Sequence, residues 1–256
     1  MAYRFFLNTN EINWNEKRAV ISSQDDVYKI SRVLRLRPND PVVLLDGKGL
    51  IYNAQINSFL NRKIDMRLLS RRTVNTESNL KITICQSLLK GPKLDSALQK
   101  CTELGVYDFI PISTSRTVIK LQDDDTDRDM LHKINRLQRI VHSAAEQSER
   151  GYIPNVKNIM TLEELLKSNL SDYDLKLVCL ERSETNKIKE VLNGITDKVG
   201  KAIIIIGPEG GFTEEEAKLM TSNGFLSVSL GKRIFRAETV GTVISTILFY
   251  HFNELN

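Results

Sequence analysis

Two short glycine-bearing segments near the C-terminus hold the residues best suited to chemistry. The first is Ile206-Gly207-Pro208-Glu209-Gly210-Gly211-Phe212, which follows the apolar run at 202–206 and precedes Thr213-Glu214-Glu215-Glu216, a capping box that opens a helix. Gly210 and Gly211 permit positive φ and close approach of backbone to a ligand, and Pro208 stiffens the turn. No G-K-[ST] follows and the pattern is not G-x-G-x-x-G, so this is neither a Walker loop nor a dinucleotide fingerprint. In an open α/β sheet ligands bind at the carboxyl ends of strands, where this loop falls. A tight strand–helix turn with no ligand is the competing reading. The second segment is Leu230-Gly231-Lys232-Arg233-Ile234-Phe235-Arg236-Ala237-Glu238-Thr239, between a strand and the last helix. Gly231 allows a turn, and Arg236 and Glu238 stand at a helix start, where a surface Arg/Glu pair is the alternative. Two such loops on successive strands would wall one pocket.

A third set is cationic. Lys90 and Arg116 each follow a strand end, with Lys93 and Lys120 close by in sequence. Fixed cations there suit a phosphate or a developing oxyanion, although each alone also fits a solvated surface charge. Glu146 and Arg150 lie in a polar cluster, residues 144–150, that ends a long helix.

The elements that must carry these residues divide the chain. Residues 3–7, 41–46, 50–57 and 63–70 read as strands, with Asp25 capping a helix that runs to residue 35. Residues 1–72 thus form a small, mostly β domain, and the apolar-poor stretch 71–79 reads as a linker. After residue 80 strands alternate with helices. Strands are expected at 80–88, 107–112, 175–180, 202–206 and 226–230. Helices are expected from Pro92 to residue 104, from 126 to 149, from Thr213 to Gly224, and from 238 to 252. The continuous apolar runs at 175–180 and 202–206 suit a parallel sheet covered on both faces, so residues 73–256 read as an α/β domain. The last helix is apolar nearly all round, which means burial in the core or against a partner.

Composition narrows the classes further. At 256 residues with 41% hydrophobic content, 13 Gly and 6 Pro, the chain can build a sizeable core and is not a disordered or collagen-like sequence. The net charge of +4 is unevenly spread. Residues 1–72 hold 13 Lys/Arg against 7 Asp/Glu, a net +6, and the remainder is net −2. A basic module attached to a near-neutral one is the reading. Three widely spaced cysteines without C-x-x-C argue for buried thiols rather than disulfides or zinc. His132 and His142 read as helix-face histidines, so no metal is expected. The N-terminal residues lack a long apolar core and cleavage site, so a signal peptide is not expected. The apolar stretch at 243–252 falls short of the roughly 20 residues a bilayer needs. A cytoplasmic protein is the expectation.

Taken in order, these segments resemble a known family. I-G-P-E-G-G-F-[TS]-x-x-E followed by S-L-G-x-R-I-[LF]-R-x-E-T is similar to the RsmE family of small-subunit ribosomal RNA uracil-N3 methyltransferases, in the SPOUT superfamily. The match continues in K-x-x-x-x-L-x-K-x-x-E-L-G-V (93–106), P-x-x-[ST]-x-R-[ST]-x-x-K (111–120), A-x-E-Q-S-x-R (144–150), the N-terminal R-F-F, and R-V-L-R-[LM]-x-P-x-D with D-G-x-G. Lys29 stands where family members often carry His, Phe235 where Leu is commoner, and Val240 where a small residue is usual.

The resemblance implies a PUA-like β-barrel RNA-binding domain at 1–72. It implies a SPOUT-type α/β methyltransferase domain at 73–256 whose C-terminal segment forms a deep trefoil knot, and a homodimer acting on 16S ribosomal RNA within the small subunit. It implies S-adenosylmethionine as cofactor, held largely by backbone at Leu180, Ile206, Gly207, Pro208, Glu209, Gly210, Gly211, Leu230, Gly231, Ile234, Phe235, Arg236 and Thr239. Arg236 and Arg116 are the catalytic candidates, for charge developing on a uracil that loses its N3 proton. Glu146 or Glu103 is the candidate base, each with a structural hydrogen-bond role as alternative. Arg4, Arg32, Arg35, Arg37, Lys90, Lys93, Lys120 and Arg150 are the expected RNA contacts. The competing readings are a nucleotide- or phosphate-binding α/β enzyme, a non-catalytic RNA-binding or ribosome-assembly factor, and a SPOUT methyltransferase for a different RNA.

Overall fold

A computed structural model describes residues 2–73, 76–118, 127–180 and 187–255. The chain divides into two compact units: Met1–Glu77 with Ala145–Ile153, and Ser78–Ala144 with Pro154–Asn256.

The first unit is built on a six-stranded sheet. Its strands are β1 (Tyr3–Phe6), β2 (Ile12–Asn13), β3 (Arg18–Ile21), β4 (Pro41–Leu45), β5 (Leu50–Leu60) and β6 (Lys63–Thr73). Their order is β1-β4-β5-β6-β3-β2, with β1 parallel to β4 and every other pair antiparallel. Alternation makes the strands: in β6, Ile64, Met66 and Leu68 are buried while Lys63 and Arg67 face water. Asn61 and Arg62 both take positive φ, which gives the β5–β6 hairpin its two-residue turn. The core gathers Phe5, Ile21, Ile30, Leu44, Ile56 and Met66.

Three details depart from the sequence reading. The first helix, α1 (Gln24–Tyr28), is capped by Ser23, whose side chain accepts from the Asp26 N–H, and Asp25 stands in the first turn. It passes into a single π turn at Lys29–Val33. Strand β3, four residues behind a polar turn, was not expected. The boundary expected at residue 72 falls inside β6, because outward-facing residues at a strand end are as polar as a linker.

A segment distant in sequence completes this unit. Ala145 packs with Phe6, Leu45 and Ile51. Both carboxylate oxygens of Glu146 accept from the Lys29 ammonium, at 3.0 and 2.9 Å. Arg4 pairs with Glu149 at 2.8 Å, and the Gly49 N–H donates to the Gly151 carbonyl at 3.1 Å. Arg150, only 4% exposed, pairs with Glu77 at 2.6 Å.

The second unit holds β7 (Lys81–Ser87), β8 (Asp108–Ser113), β9 (Asn155–Val156), β10 (Met160–Thr161), β11 (Leu175–Cys179), β12 (Lys201–Ile206) and β13 (Leu226–Val228). Their order is β10-β8-β7-β12-β11-β13, with β9 also against β8, and every pairing is parallel. Its helices are α2 (Lys93–Leu104), α3 (Asp127–Gln147), α4 (Leu162–Lys167), α5 (Ile188–Asn193), α6 (Glu214–Ser222) and α7 (Ala237–His251); the last residues of α3 belong to the first unit. The short elements β9, β10, α4 and α5 escaped the periodicity reading, which needs longer windows. Ile203, Ile204 and Ile205 are wholly buried, so successive residues of β12 are covered on both faces. Helix α7 buries Ile244, Leu248 and Phe249. It approaches α2 so closely that a Cβ added at Gly241 would lie 2.8 Å from the Cys101 Sγ. No helix among the described residues is long and apolar enough to cross a membrane.

Two stability outcomes follow. Glu77→Ala leaves the Arg150 guanidinium buried without its carboxylate and is expected to cost about 3 kcal/mol in chemical denaturation; a loss under about 0.5 kcal/mol would show the pair to be dispensable. Gly241→Val overpacks the α2–α7 contact and is expected to cost about 1–3 kcal/mol, part of which Cys101→Ala restores. Equal losses with and without Cys101→Ala would contradict that contact.

Candidate functional site

An all-parallel sheet opens the carboxyl ends of its strands on one edge. On that edge of the second unit stand Lys90 after β7, Thr114–Thr117 after β8, Leu180 after β11, Gly207–Thr213 after β12 and Ser229–Arg236 after β13.

The β12 loop is shaped by packing. A Cβ at Gly207 would lie 2.9 Å from the Phe212 ring, so the ring folds back over the loop only because residue 207 has no side chain. The Gly211 N–H donates to the Pro208 carbonyl at 2.9 Å, and Gly211 takes φ +67°. Thr213 then caps α6, its hydroxyl accepting from the Glu216 N–H at 3.2 Å. One oxygen of Glu216 accepts from the Thr213 N–H at 2.8 Å, and the other accepts from the Ser115 N–H at 2.8 Å.

Through that carboxylate the loops after β8 and β12 are joined, although β7 lies between their strands. The β8 loop is also closed on itself. The Thr114 N–H donates to the Thr117 hydroxyl at 2.9 Å, and the two hydroxyls lie 2.9 Å apart. Arg116 lies across the glycine loop. Its Nη1 donates to the Gly210 carbonyl at 3.0 Å, and its Cβ would be 3.3 Å from a Cβ at Gly210. Arg116 and Gly210 thus meet, a contact between two separately expected site residues that the sequence reading did not foresee.

The β13 loop is more open. Leu230 and Phe235 are half-buried, and Ile234 is 60% exposed, a large apolar side chain facing water beside them. The Leu180 N–H donates to the Val228 carbonyl at 3.0 Å, which holds it beside the end of β13. Arg236 is the exposed, extended N-cap residue of α7, and its carbonyl accepts from the Thr239 N–H at 2.8 Å.

Glu209 turns back to α2, where the Lys93 ammonium meets it at 2.9 Å. Partial burial opposes ionisation of Glu209. The Lys93 ammonium and backbone N–H donors, including that of Lys90, outweigh it and hold the carboxyl below the usual range. Lys93 is therefore committed to a carboxylate, whereas Lys90 is exposed.

Other expected residues lie elsewhere. Arg4, Arg32, Arg35, Arg37, Glu146 and Arg150 belong to the first unit. Arg32, Arg35 and Arg37 are exposed there. Arg150 is buried on Glu77, and Glu146 has both oxygens on Lys29, the structural hydrogen-bond role that was the alternative to its reading as a base. Glu103 is exposed on α2 and accepts from the Gln99 amide at 3.3 Å. Lys120 falls outside the described residues.

Sequence reasoning saw Glu216 only as a helix cap. It also missed Gln86 and Ser87 at the end of β7, whose Oε1 and Oγ are buried with no hydrogen-bond partner among the described residues. No sequence pattern marks either. The thiols offer no nucleophile: burial pushes Cys101 and Cys179 up to about 12 and raises Cys85 further. Among the described residues no group of three or more His, Cys, Asp and Glu is arranged to hold a metal.

Comparison with known proteins supplies independent findings. Residues 76–249 match the model of the RNA methyltransferase domain. The chain is 33% identical to the ribosomal RNA small subunit methyltransferase E of Synechocystis, over 95% of this chain and 76% of that one. The protein of the same name from Bacillus subtilis is 30% identical, covering 92% and 91%. A crystal structure of a ribosomal RNA small subunit methyltransferase E from Neisseria gonorrhoeae, bound to S-adenosyl methionine, superposes with a TM-score of 0.83 at 31% identity and covers 98% of each chain.

The Glu209–Lys93 pair gives a pH-dependent outcome. Because the folded-state pKa of Glu209 is depressed, its stabilisation is present above the ordinary carboxylate value of about 4.3 and is lost as pH falls through the lower folded value. A carbon NMR titration is expected to place the Glu209 carboxyl below the usual range, and Lys93→Met to move it upward. Identical titrations in the two proteins would refute the pairing.

Proposed function

The chain belongs to the RNA methyltransferase family of the ribosomal RNA small subunit methyltransferase E type, and from that premise we propose that it transfers a methyl group from S-adenosylmethionine to N3 of a uridine in 16S ribosomal RNA. The observation that carries this reading is Arg116 hydrogen-bonded across the glycine loop at 3.0 Å, on the strand edge that also presents Arg236 at the head of α7.

The residues present fit the cofactor. Gly211 and Gly231 take φ +67° and +114°, so the two loops expose backbone rather than side chains. Leu180, Leu230, Ile234 and Phe235 offer apolar surface suited to an adenosyl group, and Ile206, Gly207, Pro208, Glu209, Gly210 and Thr239 complete the proposed set. When bound, the cofactor supplies an electrophilic methyl on a sulfonium.

The work of the chain is to prepare the acceptor. Uracil N3 carries a proton at neutral pH; passing that proton to solvent water spreads negative charge over N3, O2 and O4. Arg236 and Arg116 stabilise that charge by donating hydrogen bonds to the oxygens. N3 lies on the pairing edge, so the uridine must be unpaired or extruded before it reacts.

We assign RNA docking to the first unit as a PUA-like barrel. Arg32, Arg35 and Arg37 there would contact phosphates, joined by Arg4 and, from the second unit, Lys90. A C-terminal trefoil knot, a homodimer and a cytoplasmic location complete the proposal.

The test is methyl transfer from labelled S-adenosylmethionine to small ribosomal subunits lacking the modification, with mass spectrometry of the product nucleotide. We expect 3-methyluridine. Arg236→Ala and Arg116→Ala should each lower kcat about 10²–10³-fold. No incorporation, or methyl on another atom, overturns the proposal; wild-type kcat in either variant removes that arginine from it.

A further inference from the structure

We propose that Glu216 is a positioning residue for Arg116: its buried carboxylate clamps the loop after β8 to the loop after β12 and so sets where the guanidinium points. The inference rests on Arg116 acting on the uracil, as proposed above.

A capping-box glutamate needs only one hydrogen bond, back to the N–H of its own N-cap residue. Glu216 makes that bond to Thr213 at 2.8 Å and spends its second oxygen on the Ser115 N–H, also at 2.8 Å and 101 residues away in sequence. The residue is 4% exposed, so the carboxylate itself is largely removed from water. Ser115 directly precedes Arg116, whose Nη1 reaches the Gly210 carbonyl three residues before Thr213. Ser115, Arg116, Gly210, Thr213 and Glu216 therefore form a closed ring of contacts, with the Glu216 carboxylate as its anionic member and the Arg116 guanidinium as its cationic one. The Thr114–Thr117 hydroxyl pair closes the same loop from its other end.

Capping accounts for one oxygen of Glu216 and leaves the other without a reason. A backbone N–H at an exposed loop can be satisfied by water, and the Ser115 side of the loop is exposed. A buried carboxylate aimed at it instead removes freedom from the residue next to Arg116. Orientation is worth this much chemically: a misplacement near 1 Å can cost about 10²-fold in rate.

The experiment is a kinetic double-mutant cycle in the full-length protein with small subunits as substrate. Glu216→Gln keeps the size but faces two N–H donors with a single acceptor oxygen. It should lower kcat about 10–100-fold while the Kd for S-adenosylmethionine moves less than about threefold. In an Arg116→Ala background the same change should cost nothing further, because the residue it positions is gone. Thr213→Ala removes the cap hydroxyl but keeps both carboxylate bonds, and should leave kcat near wild type despite a lower Tm.

A wild-type kcat for Glu216→Gln, an additive loss in the double variant, or an equal loss in Thr213→Ala overturns the proposal. If Arg116→Ala itself reacts at the wild-type rate, the assignment of Arg116 fails and this inference with it, a result distinguishable from the others. Should Glu216→Gln not fold, Thr117→Val loosens the same loop without touching the carboxylate. It must then show the same loss and the same non-additivity with Arg116→Ala, and its failure to do so counts equally against the proposal.

Discussion

Strand β12 is sealed on both faces, and that constraint decides where polar chemistry can happen in the second unit. Ile203, Ile204 and Ile205 have no exposed surface, and β11 and β7 flank them in register. A charge on such a strand would be desolvated without compensation. Polar work is displaced to the first residues past the strand ends, where backbone leaves the sheet and meets water again. The glycine loop, the Arg116 loop and Arg236 all stand there. Depth of burial below and precision of loop placement above are one fact, since a rigid apolar floor is what lets short loops hold a fixed geometry.

The loops are not held by the sheet alone. Glu216 reaches across to Ser115, Arg116 reaches back to Gly210, and Lys93 takes hold of Glu209 from α2. Each tie joins elements far apart in sequence, and each carries a full charge on at least one partner. Charge-assisted hydrogen bonds are the stronger ones, which suits a region with little apolar surface to spare. The contrast with the β13 loop is instructive: Ile234 stays 60% exposed and Arg236 projects from a helix start, so this wall is the less constrained of the two.

Much of this was legible from residues alone. Apolar runs announced β7, β11 and β12, the T-x-x-E pattern announced α6, and ordered motifs pointed to the glycine and arginine loops. What escaped has a common physical origin. The second partner of Glu216, the burial of Arg150 and the Lys29–Glu146 pair are tertiary events, and a charged residue looks the same in sequence whether it faces solvent or a partner. Strand β3 and helix α4 are shorter than the window a periodicity needs. The polar outer residues of β6 imitated a linker because only alternate positions of a strand face the core.

The recruitment of Ala145–Ile153 into the first unit has a consequence for the order of events at synthesis. Residues 1–77 leave the ribosome with Arg4, Lys29 and Glu77 still lacking Glu149, Glu146 and Arg150. At about 5–20 residues per second, the missing segment follows roughly 4–15 s later. For that interval the nascent sheet must persist with its last contacts unmade, while most of the strands of the second unit have yet to emerge. The N-terminal unit is thus first to be started but can close only after residues 78–144 of the other unit have been made, and a ribosome stalled between its two segments would hold it open.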